Sequence, residues 1–295
     1  MQLSSIGDFV LDWGESLVWD DRRQRLYFID FLRKRLCWLE DAAPPLRELA
    51  LPMFPTGVAL ADDGRLLVAL DDGLYLLDVD NEKRDFLAGY PAELGKRVND
   101  MTVDPAGNLV TGSLNIGVSP GGGRAPGSYW RYASDSGWRM LDDDITNANG
   151  PVCVPDDEGS RLIFADTPAQ KLFSYAYDPE AGAVEPREVF ADVSEVGGFP
   201  DGACATSDGD ILSCVLGRGV IAHYDGGGLR QLIDAGSEQP SDICFGGPDL
   251  DRVFIVSIRV DLKRGWGAPK SKFAGRLLSI ENAGLAGVPE HRFRM

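Results

Sequence analysis

Glu15, Asn99, Asn149 and Asp201 are the residues of this chain whose types and spacing speak most directly of chemistry. Two carboxylates and two carboxamides, with no His or Cys among them, make a hard-oxygen donor set. Such a set suits a divalent cation such as Ca2+, Mg2+ or Mn2+, with Zn2+ or Fe2+ as further alternatives. Taken singly each residue has an ordinary explanation, because Asn149-Gly150 and Asp201-Gly202 are common turn pairs. Their phase sets them apart. Each stands about ten residues before a short apolar strand, and Gly57 and Ser241 hold the equivalent places before two more.

The strands that follow begin at residues 25, 65, 108, 161, 210 and 252, so successive starts lie 40 to 53 residues apart. A period in that range marks an array of supersecondary units. In the fourth unit an inner strand is predicted over 150–154, a second over 161–166, a third over 171–177 and a fourth over 186–191. The segments 155–159 and 178–182 between them carry the Pro, Asp and Gly that tight reversals need. Third strands recur at 36–39, 73–77, 128–132, 220–224 and 276–280, and outer strands at 46–51, 138–141, 229–233 and 291–294. Six units of four antiparallel strands predict an all-β protein, a six-bladed β-propeller forming one domain over residues 1–295. The stretch 90–96 reads as a loop or a single helical turn. Residues 9–12 are expected to close the ring by pairing within the last blade, since an open ring would leave sheet edges exposed. Inner strands line the channel of such a ring and begin at one mouth, so Glu15 and Asp201 can share one ion despite their separation in sequence.

Composition narrows the partners. With 29 basic against 46 acidic side chains the net charge is −17, which repels nucleic-acid backbones and anionic membranes. No apolar run approaches the ~20 residues that span a bilayer. The N-terminus lacks a basic region followed by an apolar stretch, so a cytoplasmic protein is expected. The five cysteines form no disulfide framework. Cys153, Cys204 and Cys244 follow Asn149, Asp201 and Ser241 by three or four residues and read as reduced core thiols, while Cys37 and Cys214 are isolated. His223 and His291 are the only histidines, neither in a setting that would activate a thiol or serine, and Gly-x-Ser-x-Gly is absent.

Gly14-Glu-Ser-x-Val-Trp19, Arg97-x-Asn-Asp100 with the Val-Asp-Pro105 that follows, Asn149-Gly150, Pro200-Asp-Gly202 and Cys244-Phe-Gly-Gly247 occur in this order over nearly the whole chain. Together they resemble the senescence marker protein/gluconolactonase/regucalcin family. The resemblance implies a six-bladed propeller that binds one divalent metal (Ca2+, Mg2+, Mn2+ or Zn2+) and hydrolyses a small-molecule sugar lactone. Glu15, Asn149 and Asp201 match the family's metal ligands, Asp201 also matches its general base, and Arg97 and Asn99 match residues that contact substrate. A monomer or small homo-oligomer is expected.

The chain departs from the pattern in its charges. The loop 119–127, where some members carry an acid, offers Arg124 instead; 215–219 carries Arg218; and 259–266 is again basic, with Lys263 and Arg264. If Arg124 and Arg218 reach the mouth, a lactone with an anionic substituent becomes the expected substrate. The same metal on the same propeller would also suit a promiscuous esterase or phosphotriesterase. A metal-binding or interaction propeller without catalysis is the alternative of a different class, although such a protein has no need of the Arg97 and Asn99 pair.

Overall fold

A computed structural model describes every residue except 96, 115–126, 157–158, 227, 264 and 266. Local sequence dictates the strands. Arg25–Asp30 alternates nothing and is buried almost throughout, because it pairs on one side with Gly14–Asp20 and on the other with Arg35–Glu40. Ala43–Ala50, the outermost strand of that sheet, is largely exposed and carries Arg47 and Glu48. The turn between the first two strands is tied by the Asp20 carboxylate, which accepts the backbone N–H of Arg22 at 3.1 Å.

Among the described residues six antiparallel sheets repeat this plan, five with four strands and one, blade four, with five. The fourth blade's edge is divided between Ala183–Val184 and Glu188–Asp192, both paired with Lys171–Asp178. The inner strands are Gly14–Asp20, Pro55–Leu60, Val98–Val103, Ala148–Asp156, Phe199–Ala205 and Pro240–Gly246. Apolar side chains from neighbouring sheets interleave in six clusters, one at each blade interface. The cluster joining Trp19 and Phe28 of blade one to Phe254 and Val256 of blade six shows that the ring closes. The expected turn near residue 90 is a short 3-10 helix, Ala92–Leu94. Among the described residues no helix is long and apolar enough to cross a membrane, and all five cysteines are free.

Closure differs from the expectation in two places. The outermost strand of the last blade is Gln2–Ser5, paired antiparallel with Leu278–Glu281, rather than residues 9–12 or 291–294. Residues 9–12 still touch that blade, since Leu11 N–H donates to the Gly275 carbonyl at 2.7 Å, but they form no strand. The C-terminal tail instead crosses the far end of the channel. Phe293 is fully buried in the cluster between blades two and three and bridges Ala61 in parallel, while Arg292 pairs with Asp20 of blade one at 2.7 Å. Burying an aromatic ring contributes about 2–3 kcal/mol, which outweighs what a short exposed edge strand would gain.

Every inner strand breaks register at its start. The shifts fall at Glu15/Val18, Pro55/Gly57, Asn99/Met101, Asn149/Val152, Pro200/Ala203 and Pro240/Asp242. A bulge re-aims the side chains around it and increases local twist. Here it recurs at one level of the ring, where the inner strands converge.

Candidate active site

The bulges open onto a cavity of about 410 Å3 at one mouth of the channel, and Glu15, Arg97, Asn99, Asn149 and Asp201 all line it. Five of the residues singled out by sequence are therefore brought together. Arg218 is exposed and is not among the lining residues; Lys263 is exposed and paired with Asp261. Arg124 and Arg264 lie outside the described residues.

Backbone and neighbours fix each side chain. Glu15 receives the indole N–H of Trp13 on Oε1 at 2.7 Å, so Oε2 is the oxygen that remains for a ligand. The Trp13 ring in turn meets Phe31 edge-on, with centroids 5.3 Å apart. Asn149 donates its Nδ2 to Thr167 Oγ1 at 2.7 Å, which leaves its carboxamide oxygen as the acceptor on the other side. Asn99 donates Nδ2 to the Ala148 carbonyl at 2.9 Å and to Asn149 Oδ1, so its own Oδ1 is the group available to a substrate hydroxyl. Asp201 is buried beside them. Arg97 donates Nη1 to Asp71 at 3.1 Å and lies over the Phe31 ring with its guanidinium carbon 4.9 Å from the centroid. Its Nε is buried and has no hydrogen-bond partner among the described residues.

Electrostatics mark the same place. Burial pushes the Glu15 carboxyl well above the usual carboxylate range, and the charge of Asp201 adds to the effect. Asp100 is pushed up to about 6 by burial, although the N–H groups of Gly150 and Met101 bond its two oxygens at 2.8 and 2.7 Å. Asp242 is likewise raised by burial, then by the charges of Asp100 and Glu15. Among the described residues no group of three or more His, Cys, Asp or Glu side chains is disposed to hold a metal. The available hard donors are the Glu15 and Asp201 carboxylates with the Asn149 carboxamide. That set fits a hard divalent cation, because two enclosed carboxylates of like charge at one cavity are stabilised by a positive charge between them.

Sequence reasoning names Asp100 only as part of a motif and gives no role to Trp13, Thr167 or Asp242. Asp100 and Asp242 each follow a residue of the repeating phase by one place, so the signal lay in the repeat, one step beyond the position read. Trp13 and Thr167 carry no such signal, since what identifies them is a side-chain hydrogen bond, to Glu15 two residues on for Trp13 and across to Asn149 of the neighbouring strand for Thr167.

A family model described as the SMP-30/Gluconolactonase/LRE-like region matches residues 13–259. The chain belongs to this family. Similar proteins include a pentonolactonase of Haloferax volcanii, 30% identical over 99% of this chain and 98% of the relative, and a 6-deoxy-6-sulfogluconolactonase of Pseudomonas putida, 31% identical over 83% of each. Among solved structures, a calcium-binding regucalcin from Agrobacterium tumefaciens superposes with a TM-score of 0.86 at 25% identity, covering 99% of this chain and 97% of that one. A luciferin-regenerating enzyme reaches a TM-score of 0.88 at 20% identity, over 100% and 99% of the two chains, which shows a common fold.

Proposed function

We propose that this family member hydrolyses a sugar lactone to the open-chain acid with the help of one divalent cation held by Glu15, Asn149 and Asp201. One observation carries the reading: hard-oxygen side chains from blades one, four and five line a single cavity together with Arg97 and Asn99. Relatives named as lactonases of five- and six-carbon sugars support the substrate class, and the calcium-binding relative supports a divalent ion. When bound, such a cation polarises the lactone carbonyl and offsets the negative charge that develops on its oxygen as water adds.

The chain's own residues do the rest. Arg97, braced by Asp71 and stacked on Phe31, presents its guanidinium to the cavity as a forked donor, and so orients a ring or exocyclic oxygen. Asn99 accepts from a sugar hydroxyl through Oδ1. Asp201 takes the proton of the attacking water on its carboxylate as the new C–O bond forms. The ring C–O bond then breaks, Asp201 returns the proton to the departing oxygen, and the open-chain hydroxy acid remains with the Asp201 carboxylate regenerated. Trp13, Phe31, Ile258 and Leu262 line the same cavity and limit water to the polar side.

The test is a pH-drop assay on pentono- and hexonolactones, with protein stripped by chelator and then resupplied with Ca2+, Mg2+, Mn2+ or Zn2+. Acid release that disappears with chelator and returns with an ion is expected. Turnover of a phosphotriester with no lactone hydrolysis, or no turnover in any ion, would overturn the proposal.

A further inference from the structure

In three of the six inner strands the residue that follows the repeating phase position, Ser16, Asp100 or Asp242, bonds the next inner strand at the level of the candidate site. Ser16 Oγ accepts the Val58 N–H at 2.7 Å, joining blades one and two, and Asp100 accepts the Gly150 N–H at 2.8 Å, joining three and four. Gly57 packs so closely on Met101 that a Cβ there would meet its side chain at 2.5 Å. Gly150 faces the Asp201 carbonyl, where a Cβ would stand at 2.6 Å.

Asp242 of blade six has a particular place in this girdle. Its Oδ2 accepts the backbone N–H of Leu17, two residues beyond Glu15, and its Oδ1 accepts its neighbour Ile243 N–H at 2.8 Å. On the opposite side Oδ1 lies against Gly202, the residue after Asp201, so closely that a Cβ at 202 would come within 2.1 Å of it. The strand carrying one candidate ligand is thus bonded to Asp242, and the strand carrying the other is pressed on it. Resting on the proposed metal site, we infer that Asp242 is a positioning residue that sets the separation of the Glu15 and Asp201 carboxylates and thereby the size of cation the site prefers.

The geometry gives the reason. Ca2+ takes oxygen ligands at about 2.3–2.6 Å and Mg2+ at about 2.0–2.1 Å, so discrimination between them depends on ligand spacing and rigidity. A neutral amide at 242 has one acceptor oxygen for two N–H donors, and its NH2 group would oppose one of them. The two strands then lose their common spacer. Groups that orient metal ligands from behind typically change metal affinity about 10- to 100-fold when replaced.

The experiment is calorimetric titration of the full chain with Ca2+, and with Mg2+ in competition, for the unaltered protein, Asp242→Asn and Gly202→Ala, alongside thermal midpoints in chelator. The expected result is a change of at least fivefold in the Ca2+/Mg2+ affinity ratio in both variants. Loss of a nearby charge alone would weaken both ions by a common factor, and a merely structural role would lower the midpoint with the ratio intact; either outcome overturns the inference. Variants that match the unaltered protein in ratio and affinity overturn it too, while leaving the metal site standing. Binding of neither ion by the unaltered protein removes the metal site itself and the inference with it.

Discussion

Gly112 should be irreplaceable although it lies outside the cavity. It sits in the second strand of blade three, Leu109–Ser113, directly across from Asn99, and a Cβ there would stand 1.9 Å from the Cβ of Ala148. Ordinary contact begins at 3.4 Å, so Gly112→Ala demands a displacement of 3.4 − 1.9 = 1.5 Å between the two strands. Ala148 immediately precedes Asn149, and its carbonyl accepts the Asn99 amide at 2.9 Å, a bond that a shift of this size breaks. Overpacking of this kind costs about 1–3 kcal/mol, or about 2–6 °C in thermal midpoint for a chain of this length. Moving a site residue by about 1 Å costs on the order of 100-fold in rate. Lactone kcat/KM is therefore expected to fall about 10- to 100-fold, out of proportion to the modest loss of Tm. Steady-state kinetics and a melting curve in chelator measure both. A Gly112→Ala protein with unaltered kcat/KM would refute the claim that the inner strands hold Asn99 and Asn149 in register for function.

Three further expectations follow from the same geometry. Asp201→Ala should lower kcat by about 10²–10⁴, the usual worth of a general base, without lowering the metal-free Tm, because it removes the charge that burdens Glu15; a protein that loses its fold instead would make Asp201 a structural residue. The carboxyl of Asp100 is pushed from 3.8 to about 6 on folding, so the stability it contributes is complete only below pH 3.8 and is lost as pH climbs from there through 6. Glu15 and Asp242 act with the same sign: in chelator the Tm should fall between pH 4.5 and 7, while cation affinity rises over that range, and a metal-free Tm that climbs steadily would contradict this. Arg97→Ala should cost about tenfold to hundredfold in kcat/KM, the value of a charge-assisted contact of about 1.5–3 kcal/mol, whereas the exposed Arg218 gives no such loss when changed to Ala; kinetics on matched neutral and anionic lactones distinguish the two.

Much of the architecture was legible because it is periodic. Strands such as Arg25–Asp30 and Arg252–Ser257 are dense in apolar residues and bounded by turn chemistry, and their recurrence fixed blade number and the phase of Glu15, Asn99, Asn149 and Asp201. Closure was not legible, because Gln2–Ser5 has no alternation of its own and finds its partner Leu278–Glu281 only at the other end of the chain. The tail was misread for a related reason: His291 to Arg294 has a strand's composition, yet Phe293 gains more from the gap between blades two and three than from an edge. Asp242 was hidden by the bulge, which turns the residue after Ser241 toward two neighbouring strands. The direction of Arg218, at the reversal after Ile211–Leu216, depends on the turn and not on any pattern in the sequence.

The central claim is tested most directly by anomalous diffraction from crystals soaked in Mn2+, with Ca2+ as a second soak. One peak is expected at the mouth of the channel, with oxygens of Glu15, Asn149 and Asp201 at about 2.0–2.6 Å from it, and it should vanish in Asp201→Ala. A channel mouth without a peak in either soak, or a peak that leaves those three side chains uncoordinated, would contradict the account.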